Sequence, residues 1–315
     1  MRSDDGSTYV ISNSEMQSFK DCRRKWFLGY HRKLEPTVTR AHGARDTGTL
    51  VHETLRRYYR NSQDGAGALA WLDAQRHLDV NDAVVSDAPL VHSSFDLART
   101  IIEGYYEWLE STGVDARLDV EAVETAITIP ADISGVVLTG KIDLRVYDQT
   151  KGKLFVLDHK TVQGFAEAQK TLHLNEQAPL YSWLQRKGLP NAPPLHGVLW
   201  NMLRKVKRSA KSKPPYFART ELLLTETGLN RFWVQLHGQI EEILRVEDAL
   251  NNGADHNRVA YPTPSPDCSW KCEFFAVCGL MNDPTYDSEF VIGANFSIGN
   301  PLKRYEDVEG VDGTA

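Results

Sequence analysis

The sequence lacks the features that mark membrane, secreted or strongly basic proteins. Its 315 residues contain no apolar run near the roughly 18 residues that a membrane helix needs. The start, MRSDDGSTYV, has neither a basic region nor an apolar region, so no secretory signal is predicted. We therefore expect a cytoplasmic protein without membrane contact, in a compartment where thiols stay reduced.

The chain also lacks a net positive charge, because 36 Lys and Arg stand against 42 Asp and Glu, which gives a net charge of −6. This excludes a generally basic coat for nucleic acid, so any such contact must come from local patches. Basic residues do cluster in two places, which either bind phosphate or form solvated surfaces. They are Arg23 and Arg24 near the start, and Lys205, Lys207, Arg208 and Lys211 between two predicted strands.

Only four cysteines are present, and three of them fall within one short segment. Four is the number of ligands in a Cys₄ zinc site and in a [4Fe–4S] cluster. Four unrelated buried thiols are the other interpretation, since free cysteines are often core residues. The residues are Cys22, Cys268, Cys272 and Cys278.

The segment 140–161, GKIDLRVYD followed by KLFVLDHKT, predicts two strands joined by a short turn. Alternation places Asp143 on the face opposite Ile142 and Leu144, and it places Asp158 and Lys160 on one shared face. Two carboxylates and a lysine can therefore converge. A divalent cation that takes oxygen ligands would relieve the repulsion between the two carboxylates. The alternative is that the acids simply face water.

Other segments supply helices and further strands. Residues 12–30 predict one helix with a capping box from Ser14 to Gln17, and helices are also expected at 48–60, 94–112 and 225–250. In the predicted helix at 48–60, His52 lies beside an apolar stripe and is either a ligand or a core histidine. Gln177 and Tyr181 are four apart, so they share a helix face.

In this order, the motifs resemble the RecB-like branch of the PD-(D/E)XK nuclease superfamily. The resemblance covers about residues 12–280 and is greatest to the iron–sulfur exonucleases, which include CRISPR-associated adaptation nucleases, the AddB nuclease domain and phage-encoded relatives. The matching motifs are FKDCRRKWF, GTLVH, GKID, DHK, QAPLY and the closing cysteine triplet. The triplet departs from the common C-x₂-C, because three residues separate Cys268 from Cys272.

The resemblance implies a role for each matching residue. His52, Asp143, Asp158 and the main-chain carbonyl of His159 would bind catalytic Mg²⁺ or Mn²⁺. Lys160 would orient the attacking water and stabilise the phosphate charge. Gln177 and Tyr181 would line the cleft. A structural [4Fe–4S] cluster, with zinc as the lesser alternative, would be held by Cys22, Cys268, Cys272 and Cys278.

The implied fold is α/β, with a restriction-endonuclease-like core whose mixed central sheet is flanked by helices. We expect one nuclease domain at 1–280 and a partly disordered tail at 281–315. Within that domain, a Cys₄ cluster would join the N-terminal helix to the C-terminal segment. The parts are the clamp segments 12–30 and 262–280, a helical part at 40–113, a catalytic sheet core at 119–224 and a long helix at 225–251.

The expected activity is a metal-dependent DNA exonuclease that prefers single-stranded ends. Since no GxxxxGK[ST] motif is present, unwinding would require a helicase or recombination partner. Two other classes are open. One is a non-catalytic DNA-binding or recombination module that retains the nuclease fold, and the other is an unrelated Cys₄ zinc protein.

Overall fold

A computed structural model describes residues 7–37, 47–83, 87–209 and 211–305. It divides the chain into two compact units. The terminal unit comprises Met1–Val38, Ala126–Gly140 and Thr227–Ala315, and the central unit comprises Thr39–Thr125 and Lys141–Glu226. All residues of the predicted metal site belong to the central unit, and all four cysteines belong to the terminal unit.

The described chain contains runs of helices and runs of strands. The helices are α1 (Asn13–Asp21), α2 (Arg23–Trp26), α3 (Thr47–Arg60), α4 (Gly65–Asp82), α5 (Ala88–Thr112), α6 (Phe165–Thr171), α7 (Gln177–Gly188), α8 (Glu226–Asn251), α9 (His256–Val259), α10 (Cys268–Lys271), α11 (Phe275–Cys278) and α12 (Ser288–Asn295). The strands are β1 (Tyr9–Ser12), β2 (Leu34–Pro36), β3 (Leu118–Pro130), β4 (Val136–Asp148), β5 (Lys153–Val162), β6 (Leu195–Arg204), β7 (Phe217–Leu223) and β8 (Phe296–Ile298). A search of the described helices finds none with the length and apolar character needed to cross a membrane.

The main sheet has six strands in the order β1-β4-β5-β6-β7, with β3 also paired to β4. β1 is parallel to β4 within the terminal unit, and β5 is parallel to β6 within the central unit. The β4–β5 and β6–β7 pairs are antiparallel. The sheet is therefore mixed and flanked by helices, which confirms the predicted fold class.

The predicted hairpin is the β4–β5 pair, with Leu144 opposite Leu157 and Asp148 opposite Lys153. Its turn depends on Asp148, whose buried Oδ1 accepts hydrogen bonds from the backbone N–H groups of Thr150 (3.0 Å) and Lys151 (3.1 Å). Gly152 completes the turn at φ 63°, a conformation that is costly for residues with a Cβ.

The core of the central unit lies between its sheet and helices α3, α4 and α5. The predicted helix at 48–60 is α3, whose apolar stripe is fully buried. The predicted helix at 94–112 is α5, which begins earlier, at Ala88, with a proline in its first turn. It ends at Gly113 in the left-handed conformation.

In the terminal unit, the prediction of one continuous helix at 12–30 is wrong. The helix begins with Ser12 as N-cap, not Ser14, because the Ser12 hydroxyl accepts the backbone N–H of Glu15 at 3.2 Å. It then breaks at Cys22, whose backbone is extended, before α2 and a π-helical turn at Phe27–His31. The predicted helix at 225–250 is confirmed as α8.

The last part of the terminal unit contains regular structure. α12 begins with Asp287 as its N-cap, and β8 pairs antiparallel with β2 near the start of the chain. Of the predicted tail at 281–315, residues 306–315 lie outside the described residues.

Candidate active site

The D-x-K motif, which is Asp158-His159-Lys160, lies on β5 in the central unit. Leu157 belongs to the core formed with α3 and α5, so alternation places Asp158 and Lys160 mainly on the opposite face. There, Tyr181 of α7 donates a hydrogen bond of 3.1 Å to Oδ1 of Asp158. Oδ2 of Asp158 lies 2.7 Å from Nζ of Lys160, which confirms that the two motif residues share a face.

Asp143 is the point where three segments of the central unit meet. Its Oδ2 lies 3.4 Å from Nδ1 of His52 on α3 and accepts a hydrogen bond of 3.1 Å from the backbone N–H of His159. Because the apolar stripe of α3 is packed into the core, His52 is carried to this edge of the hairpin. His52, Asp143 and the D-x-K motif are therefore neighbours in space.

A closed ring of three hydrogen bonds and one ion pair joins the D-x-K motif to the Q-x-x-x-Y motif, which runs from Gln177 to Tyr181. Lys160 Nζ donates to Gln177 Oε1 at 2.7 Å, and Gln177 Nε2 donates to the Tyr181 hydroxyl at 3.0 Å. Tyr181 donates to Asp158, whose other oxygen is paired with Lys160. Each donor in this ring meets an acceptor, so the orientation of the Gln177 amide is defined.

The two carboxylates have different electrostatic surroundings. Burial raises the pKa of Asp143, but the attraction and hydrogen bond of His52, together with nearby positive charge, outweigh burial and hold that pKa below its ordinary value. Burial raises the pKa of Asp158; attraction by Lys160 opposes this and repulsion by Asp143 adds to it, and the pKa stays raised. Burial lowers the pKa of His52, but the attraction and hydrogen bond of Asp143 together with the attraction of Asp158 outweigh burial, so that the pKa is raised.

The donor set fits a hard divalent cation. Within the described residues, no three His, Cys, Asp or Glu side chains are grouped closely enough to hold a metal ion by themselves. Mg²⁺ is commonly bound by one or two carboxylates, with water and substrate phosphate completing its octahedron. Asp143 and Asp158 can supply those carboxylates, and the imidazole of His52 suits Mn²⁺ better than Mg²⁺.

Glu124 on β3 is a third acid in this electrostatic environment. Its backbone has φ 52°, which is uncommon for a residue other than glycine, and its Oε2 lies 2.6 Å from Nζ of Lys141. Burial and then repulsion by Asp143 raise the pKa of Glu124 despite that lysine. Glu124 is therefore close enough to Asp143 for the two carboxylates to repel each other.

The four cysteines of the terminal unit are half-buried and form no disulfide. Cys22 Sγ accepts the backbone N–H of Thr263, and Cys268 Sγ accepts that of Ser265, each at 3.3 Å. Burial raises the pKa of the Cys278 thiol; Arg24 opposes this, and repulsion by Cys22 and Cys268 adds to it. The sulfurs do not form a group that could hold a metal ion in this geometry.

The structure places the two predicted basic patches differently. Arg24 is only 1% exposed and donates to the backbone oxygen of Ala260 and to Asn257, while Arg23 is paired with Glu242. In the central unit, by contrast, Lys207, Arg208 and Lys211 are exposed. Their loop leaves β6 beside the end of β5, because the Lys205 N–H bonds the carbonyl of Val162 at 2.7 Å.

Sequence reasoning missed a polar cluster behind the hairpin. Asn201 and Arg219 lie on β6 and β7, and Asn201 is the register partner of His159. A lone asparagine within the apolar run GVLWNML was the available signal, because a buried amide needs hydrogen-bond partners.

Comparison with known proteins gives one family match. The model of the PD-(D/E)XK nuclease superfamily matches residues 10–279. No curated protein is significantly similar to the chain. Among solved structures, the crystal structure of SSO0001 aligns at 17% identity and covers 74% of this chain and 84% of its own, with a TM-score of 0.30. That score is too low to support an argument.

Replacement of Tyr181 by phenylalanine tests the ring. The change removes the hydroxyl that donates to Asp158 and accepts from Gln177. We expect Mn²⁺ affinity, measured by electron paramagnetic resonance, to fall about 10-fold, as is typical when an outer partner of a metal ligand is lost. Tyr147→Phe, on β4 and outside the ring, is the control. Equal Mn²⁺ affinity in the Tyr181 variant and wild type would contradict this role.

Proposed function

The chain belongs to the PD-(D/E)XK nuclease superfamily, and from this premise we propose that it is a metal-dependent DNA exonuclease that prefers single-stranded ends. Membership of the superfamily supports a nuclease that hydrolyses phosphodiester bonds in DNA. The observation that carries the proposal is the closed ring of Asp158, Lys160, Gln177 and Tyr181 next to the His52–Asp143 contact.

Hydrolysis of a phosphodiester needs an activated water and stabilisation of negative charge on the phosphate. A bound Mg²⁺ or Mn²⁺ supplies a lowered water pKa and Lewis acidity. Asp143, Asp158, His52 and the His159 carbonyl are the residues proposed to hold it. Their donor chemistry, two carboxylates with an imidazole and a backbone oxygen, supports this assignment.

Lys160 is proposed to orient the attacking water and to contact a phosphate oxygen. Its ammonium is held by Asp158 and Gln177, yet its side chain is still 29% exposed. A cation that is fixed at one end of the ring and open to solvent on the other side is well suited to meet a substrate phosphate.

DNA is proposed to approach across the loop between β6 and β7. Lys205, Lys207, Arg208 and Lys211 lie on this loop, which begins beside the end of β5. Arg208 is paired with Glu107 and Lys207 contacts Ser93, while the side chain of Lys211 is exposed. Arg24 is left out of this DNA contact because its guanidinium is buried.

The exonuclease assignment and the preference for single-stranded ends rest on the order of the motifs. GTLVH, GKID, DHK and QAPLY, with cysteines before and after them, form the RecB-like pattern. A non-catalytic module with the same fold is less consistent with this chain, because a decayed site usually loses one of these residues and here each is present.

The cysteines are proposed to hold a structural [4Fe–4S] cluster, with zinc as the alternative. Cys22, Cys268, Cys272 and Cys278 belong to one unit and interact electrostatically through Cys278. Metal cations would offset the burial and mutual repulsion that disfavour the thiolate forms. Since the ligands come from both ends of the chain, the cluster would close a long loop and stabilise the unit.

A cleavage assay tests the nuclease proposal. With end-labelled single- and double-stranded DNA and Mn²⁺, we expect Lys160→Ala and Asp143→Asn to lower the rate by about 100- to 10,000-fold, the range for lost acid–base or charge assistance. DNA binding, followed by fluorescence anisotropy, should persist. Lys170→Ala and Asp119→Asn are matched controls with wild-type rates. Undiminished cleavage by Asp143→Asn would refute the site.

The cluster proposal predicts a brown protein after anaerobic purification, with absorbance near 400 nm and about four iron atoms per chain. Cys278→Ser should abolish that absorbance and lower the thermal unfolding temperature, because the clamp between the chain ends is lost. Ser297→Ala, at an exposed position of β8 in the same unit, is the control. A colourless protein that contains zinc and no iron would overturn the cluster in favour of zinc.

A further inference from the structure

A buried polar network lies behind the D-x-K motif, on the face of β5 that packs against α5. His159 is 3% exposed and its register partner on β6, Asn201, is 1% exposed. The Asn201 Nδ2 and the His159 Nδ1 are 2.9 Å apart. This is a contact between two groups that can each donate or accept, so its direction depends on their other partners.

Arg219 determines that direction. Its Nε and Nη2 both lie 3.2 Å from the Asn201 Oδ1. Because a guanidinium only donates, the oxygen of the amide must face Arg219 and the NH₂ group must face His159. The Asn201 NH₂ then donates to His159 Nδ1, which must be the unprotonated nitrogen of a neutral ring. The proton of that imidazole is therefore on Nε2.

The other residues of the network fix the orientation of the Asn201 side-chain amide. The Tyr105 hydroxyl accepts from Asn201 Nδ2 (3.0 Å) and from Arg219 Nη2 (3.1 Å). It therefore donates to the Tyr59 hydroxyl at 2.8 Å, which in turn donates to Asp115 at 2.6 Å. Asp115 is paired with Arg219, also at 2.6 Å. Each hydrogen in this network therefore has a single position in which it meets an acceptor.

The ring of His159 has little else to orient it. Its Nε2 is buried and has no hydrogen-bond partner among the described residues. Stacking on Tyr59, with centroids 5.6 Å apart, and an edge contact with His52 at 5.9 Å set the plane of the ring but do not select a tautomer.

We propose that Asn201, oriented by Arg219, is a positioning residue that holds His159 as the Nε2–H tautomer and thereby fixes the peptide between Asp158 and Lys160. The backbone N–H of His159 donates to Asp143, and its neighbour Asp158 is the second carboxylate of the site. Anchoring the ring on one face of β5 thus sets the spacing of both carboxylates on the other face. This inference rests on the proposed function for its catalytic consequence.

The first test needs no variant. Long-range ¹⁵N–¹H correlation spectra of protein labelled at its ten histidines, assigned with a His159→Gln variant, report the tautomer directly. We expect His159 to carry its proton on Nε2 across the neutral pH range. A proton on Nδ1 in the wild-type protein would overturn the proposal.

Asn201→Asp is the decisive variant, because it is isosteric and replaces the donor NH₂ by an acceptor. The His159 proton should move to Nδ1, Mn²⁺ affinity should fall about 10-fold, and kcat should fall by about 10- to 100-fold with KM for DNA unchanged. Gln185→Met, which removes a buried amide of α7 outside the network, should keep wild-type Mn²⁺ affinity. A moved proton with unchanged Mn²⁺ affinity and kcat would refute the positioning role.

Two further results separate the role of Arg219 and the proposed nuclease activity from the positioning role of Asn201. Arg219→Lys retains a cation beside Asp115 but loses the paired N–H groups, so we expect both tautomers of His159; a pure Nε2–H spectrum would remove Arg219 from the account. If wild-type protein cleaves no DNA, the proposed function fails, while the tautomer and the Mn²⁺ affinities still decide the positioning role.

Discussion

The carboxylate of Asp158 is the constraint on which the site depends. It is buried to 1% exposure, and an isolated buried carboxylate is strongly destabilising unless it is paired and hydrogen-bonded. Tyr181 and Lys160 each hold one of its oxygens, and Gln177 ties these two partners together. The ring that satisfies a buried charge is therefore also the ring that brings the D-x-K and Q-x-x-x-Y motifs into one place.

The two faces of strand β5 lie in different environments, because its side chains alternate between them. Asp158 and Lys160 meet α7, whereas Leu157 and His159 meet the core and the polar network of α3 and α5. Since the His159 N–H also donates to Asp143, the backbone of β5 links the two sides. Packing of the helices and the geometry of the proposed metal ligands are thus consequences of the same few residues.

The sequence predicts those features that depend on local periodicity. The β4–β5 hairpin and the shared face of Asp158 and Lys160 follow from alternation, and α3 and α8 follow from apolar stripes. The break at Cys22 was missed, since it depends on the backbone there and not on a proline or glycine. Burial of Arg24 was missed because its partners, Asn257 and Ala260, are distant in the sequence. The network of Arg219 likewise requires three strands and the helices α3 and α5 to be assembled.

Asp143 and Asp158 are proposed to hold one divalent cation at the edge of the hairpin. The most direct measurement is a crystal structure of the protein soaked with Mn²⁺, in which anomalous scattering locates the metal. We expect one strong peak bonded to a carboxylate oxygen of each aspartate, to the His52 imidazole and to the His159 carbonyl. An anomalous map with no peak between the two carboxylates at saturating Mn²⁺ would contradict it.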